Sequence, residues 1–353
     1  PKTEDQKAVL RWAAKGWESV PEVPESDAVK AIWAFERAKQ LKVDTDAKAM
    51  VSLIVDYNLP RECVPTEFLK SVEVWDALLQ KMPMTAMIRN LGKMSSIGLV
   101  TANSEAARFV GGRLEDREAL RKARVHPLTV LMAQAVYNSG HGMKGSLSWT
   151  TVPRVSNALE KAFYDSFAFA PKTGKRFYIG LDVSGSMSSG QVAGTPLTPR
   201  EAGAAMSMVI MKTEPEYYVA GFTSIMRKLD IAPTMTIQQV VSVVSRSDFG
   251  GTDCALPMVD ALAKKIPADV FIVITDSETW AGRKHPNIAL QEYRNKMGID
   301  AKLVVMGMVS NGFTIADPSD AGMLDVVGFD ANVPQVIAQF VGGDATPVEK
   351  DEE

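Results

Sequence analysis

Two cysteines in 353 residues, Cys63 and Cys254, are too few and too widely separated to build a disulfide framework. Histidine is nearly as scarce: His126, His141 and His285 are the whole supply, and none stands where a nucleophile would need a base. No apolar run approaches the ~20 residues of a membrane span, and the charged, polar opening is not a signal peptide. Charge of one sign is not in excess either, since 39 Lys and Arg against 42 Asp and Glu leave a net charge of −3. These absences exclude a secreted disulfide scaffold and a membrane protein, and they lead to the expectation of a cytoplasmic chain with residues enough for two cores.

What is present is a set of oxygen-bearing side chains at the ends of apolar runs. Phe177-Tyr178-Ile179-Gly180-Leu181 leads into Asp182-Val183-Ser184-Gly185-Ser186. In an extended segment alternate residues share a face, so Asp182, Ser184 and Ser186 converge where the strand gives way to a Gly/Ser-rich loop. Gly250-Gly251 then presents Thr252 and Asp253 just before a helical pattern, and Val270-Phe271-Ile272-Val273-Ile274-Thr275 ends on Asp276. Hard oxygen donors of this kind suit Mg²⁺ first, with Mn²⁺ or Ca²⁺ as alternatives, rather than zinc. In a doubly wound sheet all three segments open onto one edge, where such folds bind ligands. The order DxSxS, Thr, Asp resembles the metal-ion-dependent adhesion site of von Willebrand factor A domains. That resemblance implies Ser184, Ser186 and Thr252 as hydroxyl ligands, with Asp182 and Asp276 acting directly or through water.

Residues 171–345 alternate strand and helix patterns as that fold requires. Strands are expected at Arg176–Val183, Tyr217–Phe222, Asp269–Thr275, Lys302–Gly307 and Leu324–Phe329. Helices are expected at Pro199–Lys212, Thr236–Ser245, Cys254–Lys264, Pro286–Met297 and Val333–Phe340. The strands read as fully buried, which predicts helices on both faces of the sheet. Residues 346–353 are expected to form an acidic tail.

Residues 1–170 are patterned differently, as successive amphipathic helices. Trp75 is followed by Leu78, Leu79 and Met82 at helical spacing, and Met84 by Met87, Ile88 and Leu91 across the break at Pro83. Thr3 with Gln6 forms the outline of a capping box. Short connections and no strand candidates predict antiparallel neighbours in a helical solenoid of HEAT type.

Several longer strings point further. They include Arg89-Asn90-Leu91-Gly92-Lys93-Met94, Gly140-His141-Gly142-Met143-Lys144-Gly145, Gly251-Thr252-Asp253-Cys254 and Ser310-Asn311-Gly312-Phe313-Thr314-Ile315-Ala316-Asp317-Pro318. Together they resemble the Ro autoantigen family, in which a TROVE module of HEAT-like helices precedes a von Willebrand factor A domain. The resemblance implies a scaffold for noncoding RNA, Y-like or misfolded and single-stranded, acting in RNA processing or quality control. It also implies further helices ahead of Pro1, in cis or on another chain, with the principal Y RNA contacts largely among them. An acidic protein partner at the metal site, a nuclease among the candidates, is the other implied companion.

Charge supports the RNA expectation independently. Residues 1–170 hold 23 Lys and Arg against 20 Asp and Glu, whereas 171–353 hold 16 against 22; within 81–144 the ratio is ten to four. A locally basic helical surface can neutralise phosphates, although charges at helical spacing also decorate ordinary solvated faces. His126-Pro127 opens a helix pattern behind Arg121, Lys122 and Arg124, where free N–H groups can receive a phosphate oxygen. The expected backbone clamp comprises Arg89, Lys93, Arg121, Lys122, Arg124, His126, His141 and Lys144. No RNP-type aromatic platform is legible, so base stacking is not expected.

Catalysis is not expected. A haloacid-dehalogenase-type phosphatase needs a second Asp where Ser184 stands, and a phosphate loop ending at Gly174-Lys175 needs Gly at Phe169 and Ser or Thr at Arg176. Neither Ser184 nor Ser186 has the flanking glycines of a nucleophile elbow. The competing reading is a metal-dependent protein-interaction module that does not itself bind RNA.

Overall fold

The computed structural model describes residues 3–16, 27–170, 172–245, 251–276, 282–309, 315–330 and 332–342. Gly250, the 310–314 part of the family string and the acidic tail at 346–353 lie outside the described residues. The chain forms two compact units, one of residues 1–119 with 140–158, the other of 120–139 with 159–353.

The first unit holds helices α1 (Glu4–Lys15), α2 (Asp27–Ala38), α3 (Ala47–Tyr57), α4 (Val72–Lys81), α5 (Met84–Ser96) and α6 (Glu105–Glu115). The Thr3–Gln6 capping box is formed: the Gln6 amide donates to Thr3 Oγ1 at 3.2 Å and the Thr3 amide to Gln6 Oε1 at 3.4 Å. Ser71 and Ser104 cap α4 and α6 in the same way, each accepting from the third helical amide. The apolar stripe beginning at Trp75 is buried, and the Trp75 indole N–H donates to Leu69 O at 2.9 Å, so the largest side chain of this core leaves no polar atom unsatisfied.

Helix α7 (Arg117–Lys122) runs to the second unit, which contains α8 (Pro127–Ser139) and most of α9 (Pro153–Ser166). Its sheet has the order β3-β2-β1-β4-β5-β6, with β1 at Arg176–Asp182, β2 at Glu216–Phe222, β3 at Met226–Lys228, β4 at Val270–Thr275, β5 at Lys302–Gly307 and β6 at Met323–Val327. The five strands read from the sequence are present with ends shifted by one or two residues. The sheet is nevertheless mixed, because β3 pairs antiparallel with β2. Three residues ending in Arg227-Lys228 carry too little apolar pattern to be read as a strand in advance.

Helices α10 (Pro199–Thr213), α11 (Ile237–Val244), α12 (Leu256–Lys264), α13 (Pro286–Met297) and α14 (Val333–Phe340) complete this unit. At the amino edge of the sheet, Arg176 grips Asp269 through Nε at 3.0 Å and a terminal nitrogen at 2.6 Å, and the Arg176 amide donates to the same carboxylate. This bidentate pair locks the register of β1 beside β4 and holds the Asp269 carboxyl below its ordinary range. Ahead of β1, Glu214 accepts from the Thr173 amide and hydroxyl and from the Gly174 amide, tying the approach of the strand to the end of α10. On the face of β1, Gly180 leaves room for α12, since a Cβ there would lie 2.4 Å from Pro257 Cγ. That close approach draws the first turn of α12, and the Thr252-Asp253 segment before it, onto the strand carrying Asp182.

Candidate metal centre and basic surfaces

Asp182 ends the central strand β1 and is fully buried. Its Oδ1 accepts from the Ser184 amide at 2.9 Å, and its Oδ2 accepts from the Thr275 hydroxyl at 2.8 Å. The Ser184 and Ser186 hydroxyl oxygens stand 3.0 Å apart. On the adjacent strand Thr275 hands over to Asp276, whose Oδ1 lies 3.5 Å from the Thr275 hydroxyl. Thr252 is buried, and its loop is fastened to the end of β2 by the Asp253 amide donating to Thr223 O at 3.0 Å. Phe222, at the end of β2, is the register partner of Asp182. All five sequence-chosen residues thus belong to the carboxyl ends of three neighbouring strands and the loops that follow them.

Electrostatics at this edge favour a cation. Burial pushes the Asp182 carboxyl up to about 6, and the neighbouring Asp276 carboxylate adds to the effect against the hydrogen bonds from Ser184 and Thr275. Among the described residues no three His, Cys, Asp or Glu side chains converge. A metal here would therefore be held by hydroxyls and at most two carboxylates, a hard-oxygen set that suits Mg²⁺ and leaves the ion with net positive charge. The donor set fits such an ion.

Two contributors escape sequence reading. Thr275 looks like a strand residue, yet its hydroxyl orients Asp182. Arg200, in the first turn of α10, is 9% exposed and donates to Ser184 O at 2.9 Å, holding the metal-loop backbone from behind. A buried cation at a helix N-terminus opposes the helix dipole, which is the one clue the sequence offers.

The expected RNA clamp divides between the units. Arg89, Lys93, His141 and Lys144 lie in the first, and Arg121, Lys122, Arg124 and His126 in the second. Arg89 is exposed on α5 and Lys93 half-buried one turn on; His141 and Lys144 are exposed in a hairpin whose ends meet at the His141–Ser148 bridge. Lys122 and Arg124 are exposed, and Arg124 sits at a left-handed φ of 50° in the turn leaving α7.

His126 does not belong with them. Its Nδ1 accepts from the Leu128 amide at 3.2 Å, so the side chain itself occupies the α8 terminus that was expected to receive phosphate. Its Nε2 is buried without a hydrogen-bond partner, and desolvation lowers its pKa to about 4. A neutral imidazole turned inward is a cap, not a phosphate ligand. The folded value lies below the ordinary 6.5, so the stabilisation is complete above about 6.5 and is lost as pH falls towards 4. His126→Gln should flatten this part of the stability–pH profile, removing a loss on the order of 2 kcal/mol in urea melts between pH 6.5 and 4. An unaltered slope would mean that another group carries the acid sensitivity.

Comparison with known proteins agrees with this architecture. A profile described as the Ro60 vWA domain matches residues 176–341, and one described as the TROVE domain matches residues 57–139. The crystal structure of the Deinococcus radiodurans RO (RSR) protein superposes with a TM-score of 0.89 at 41% identity, covering 97% of this chain and 68% of that one. The chain belongs to the Ro family. Among curated relatives, the RNA-binding protein RO60 of Deinococcus radiodurans is 42% identical over 348 residues, which is 98% of this chain and 64% of the relative. The RNA-binding protein RO60 of Caenorhabditis elegans is 44% identical over 316 residues, covering 89% of this chain and 49% of the relative. This Ro chain therefore spans about half to two thirds of the length of the relatives it matches. Among its described residues, no helix is long and apolar enough to cross a membrane.

Proposed function

We propose that this Ro chain binds RNA through its helical part and carries a divalent-cation site that recruits a protein partner through its A domain. The RNA is noncoding, Y-like or misfolded and single-stranded, and the role is in RNA processing or quality control in the cytoplasm. The reading rests on the end-to-end likeness, 42% over 98% of the chain, to a protein named as RNA-binding. The ten-to-four excess of Lys and Arg within 81–144 supplies the phosphate-neutralising charge that such binding needs. At the metal centre, Ser184, Ser186 and Thr252 would supply hydroxyl oxygens, with Asp182 and Asp276 ligating directly or through water. A Mg²⁺ ion held in this way keeps positive charge, which a carboxylate from an acidic partner, a nuclease being one class, would complete. No catalytic turnover is assigned to the chain.

The purified chain should shift a labelled single-stranded RNA and a Y-like hairpin in anisotropy titrations, with affinity falling steeply between 50 and 200 mM KCl, as counterion release requires. Absence of binding across that range would favour the second reading, a metal-dependent interaction module. That reading draws on the shortfall in length against the RNA-binding relatives.

A further inference from the structure

A cleft of about 540 Å³ opens on the first unit, between the end of α5 and the segment leading into α9. Its lining is unlike the surrounding surface. Ser95, Ser96, Thr101, Ser148, Thr150 and Thr151 contribute six hydroxyls, no acidic side chain takes part, and one wall is Trp149. The indole has a built seat. A Cβ on Gly92 would lie 2.6 to 2.8 Å from three atoms of its benzo ring, so the ring rests directly on the α5 backbone where only glycine admits it. The hairpin that delivers Trp149 is fixed by its amide donating to Gly140 O and by the Gly142 amide donating to Leu147 O, both at 2.8 Å.

Charge sits beside this seat at defined spacing. Arg89, Gly92 and Ser96 fall at i, i+3 and i+7 of α5, on one helix face. Arg89 is therefore about 4.5 Å along the axis from the indole seat and Ser96 about 6 Å beyond it on the other side. Lys93 follows Gly92 directly. A cation, an aromatic wall and a bank of hydroxyls in succession match the three parts of one nucleotide: phosphate, base and ribose.

We propose that this cleft is a nucleotide subsite for single-stranded RNA, with the base against Trp149, the phosphate towards Arg89 and Lys93, and the ribose among the Ser and Thr hydroxyls. The proposal rests on the RNA-binding reading above and gives it a location. Hydroxyl side chains both donate and accept, as the ribose 2′-OH does, so the subsite prefers RNA to DNA. Stacking on an indole tolerates any base, so sequence preference is weak.

The test uses the full chain with fluorescent octamers of uridine and of deoxyuridine. Thr150→Val together with Thr151→Val keeps volume while removing two hydroxyls. This double variant should weaken the ribo-octamer about tenfold, leave the deoxy-octamer unchanged and so bring the RNA-to-DNA ratio towards one. An octamer carrying 5-iodouridine should photocrosslink to Trp149 in the wild-type chain. If the double variant keeps both affinities and no crosslink maps to the 148–152 segment, the subsite is overturned while RNA binding elsewhere stands. If the wild-type chain binds neither octamer, the subsite and the RNA-binding reading fall together.

Discussion

Asp182→Asn should abolish Mg²⁺ binding without unfolding the sheet. Asparagine keeps an oxygen for the Ser184 amide and offers the Thr275 hydroxyl a polar neighbour, so the two hydrogen bonds that order the loop have an isosteric replacement. What is lost is the only fully buried negative charge at the edge. Titration calorimetry should show the Mg²⁺ affinity falling by more than about 100-fold, the upper end of what removing a mere supporting group does to metal sites. Circular dichroism should be unchanged. Retained Mg²⁺ affinity would remove Asp182 from the ligand set and the adhesion-type site with it.

The wild-type protein carries its own control in pH. The folded Asp182 carboxyl titrates at about 6, above its ordinary 3.8. In the absence of metal its stabilising contribution is therefore full below about 4 and is lost as pH rises through 6. A cation compensates only for the ionised form. Mg²⁺ should thus raise the melting temperature at pH 7.5 and do little at pH 5, and its affinity should weaken about tenfold per pH unit below about 6. In Asp182→Asn both dependences should vanish. A melting shift equal at the two pH values would show that the ion binds elsewhere.

The second large effect concerns RNA. Arg121→Glu, Lys122→Glu and Arg124→Glu together convert three positive charges at the end of α7 into three negative ones. All three lie in the second unit, clear of the fully buried residues. Each phosphate contact on a single strand contributes about 0.7 to the slope of log affinity against log salt, so losing three should lower that slope by about 2. Binding of a labelled single strand near 0.15 M KCl should disappear, while the melting temperature stays within a few degrees. Arg124 occupies a left-handed backbone position, a strain that Glu bears as Arg does, so the turn itself is conserved in the variant. Unchanged affinity at that salt would exclude this surface from the RNA interface.

How much of this was legible in advance follows from the range of each signal. Asp182, Ser184 and Ser186 lie within five residues and share the period of the strand that bears them, so their convergence is a local property. Thr252 and Asp276 were readable because parallel strands deliver their loops to a common edge. The contribution of Arg200 depends on α10 folding back over the Ser184 carbonyl, and that of Thr275 on its pairing beside Asp182 across 93 residues. No pattern within one segment encodes either contact. Gly92 and Trp149 make the same point in the helical part, since a small residue in a basic string and an aromatic after a hairpin acquire meaning only when packed together. The error over His126 arose where a sound local rule met tertiary burial. Histidine before a proline at a helix start does lie at an N-terminus, but packing turned the ring inward and stripped its charge.

The chain passes between its two compact units three times, at 119/120, 139/140 and 158/159. No single cleavage can therefore release one intact from the other. A protease nick at 170, where the strand pattern begins, would strand α8 and the end of α9 on the wrong fragment and strip from the sheet unit helices that pack within it. The two halves of the sequence are readable as separate modules, yet as physical objects they are interlaced, and they would have to be inherited, expressed and degraded as one.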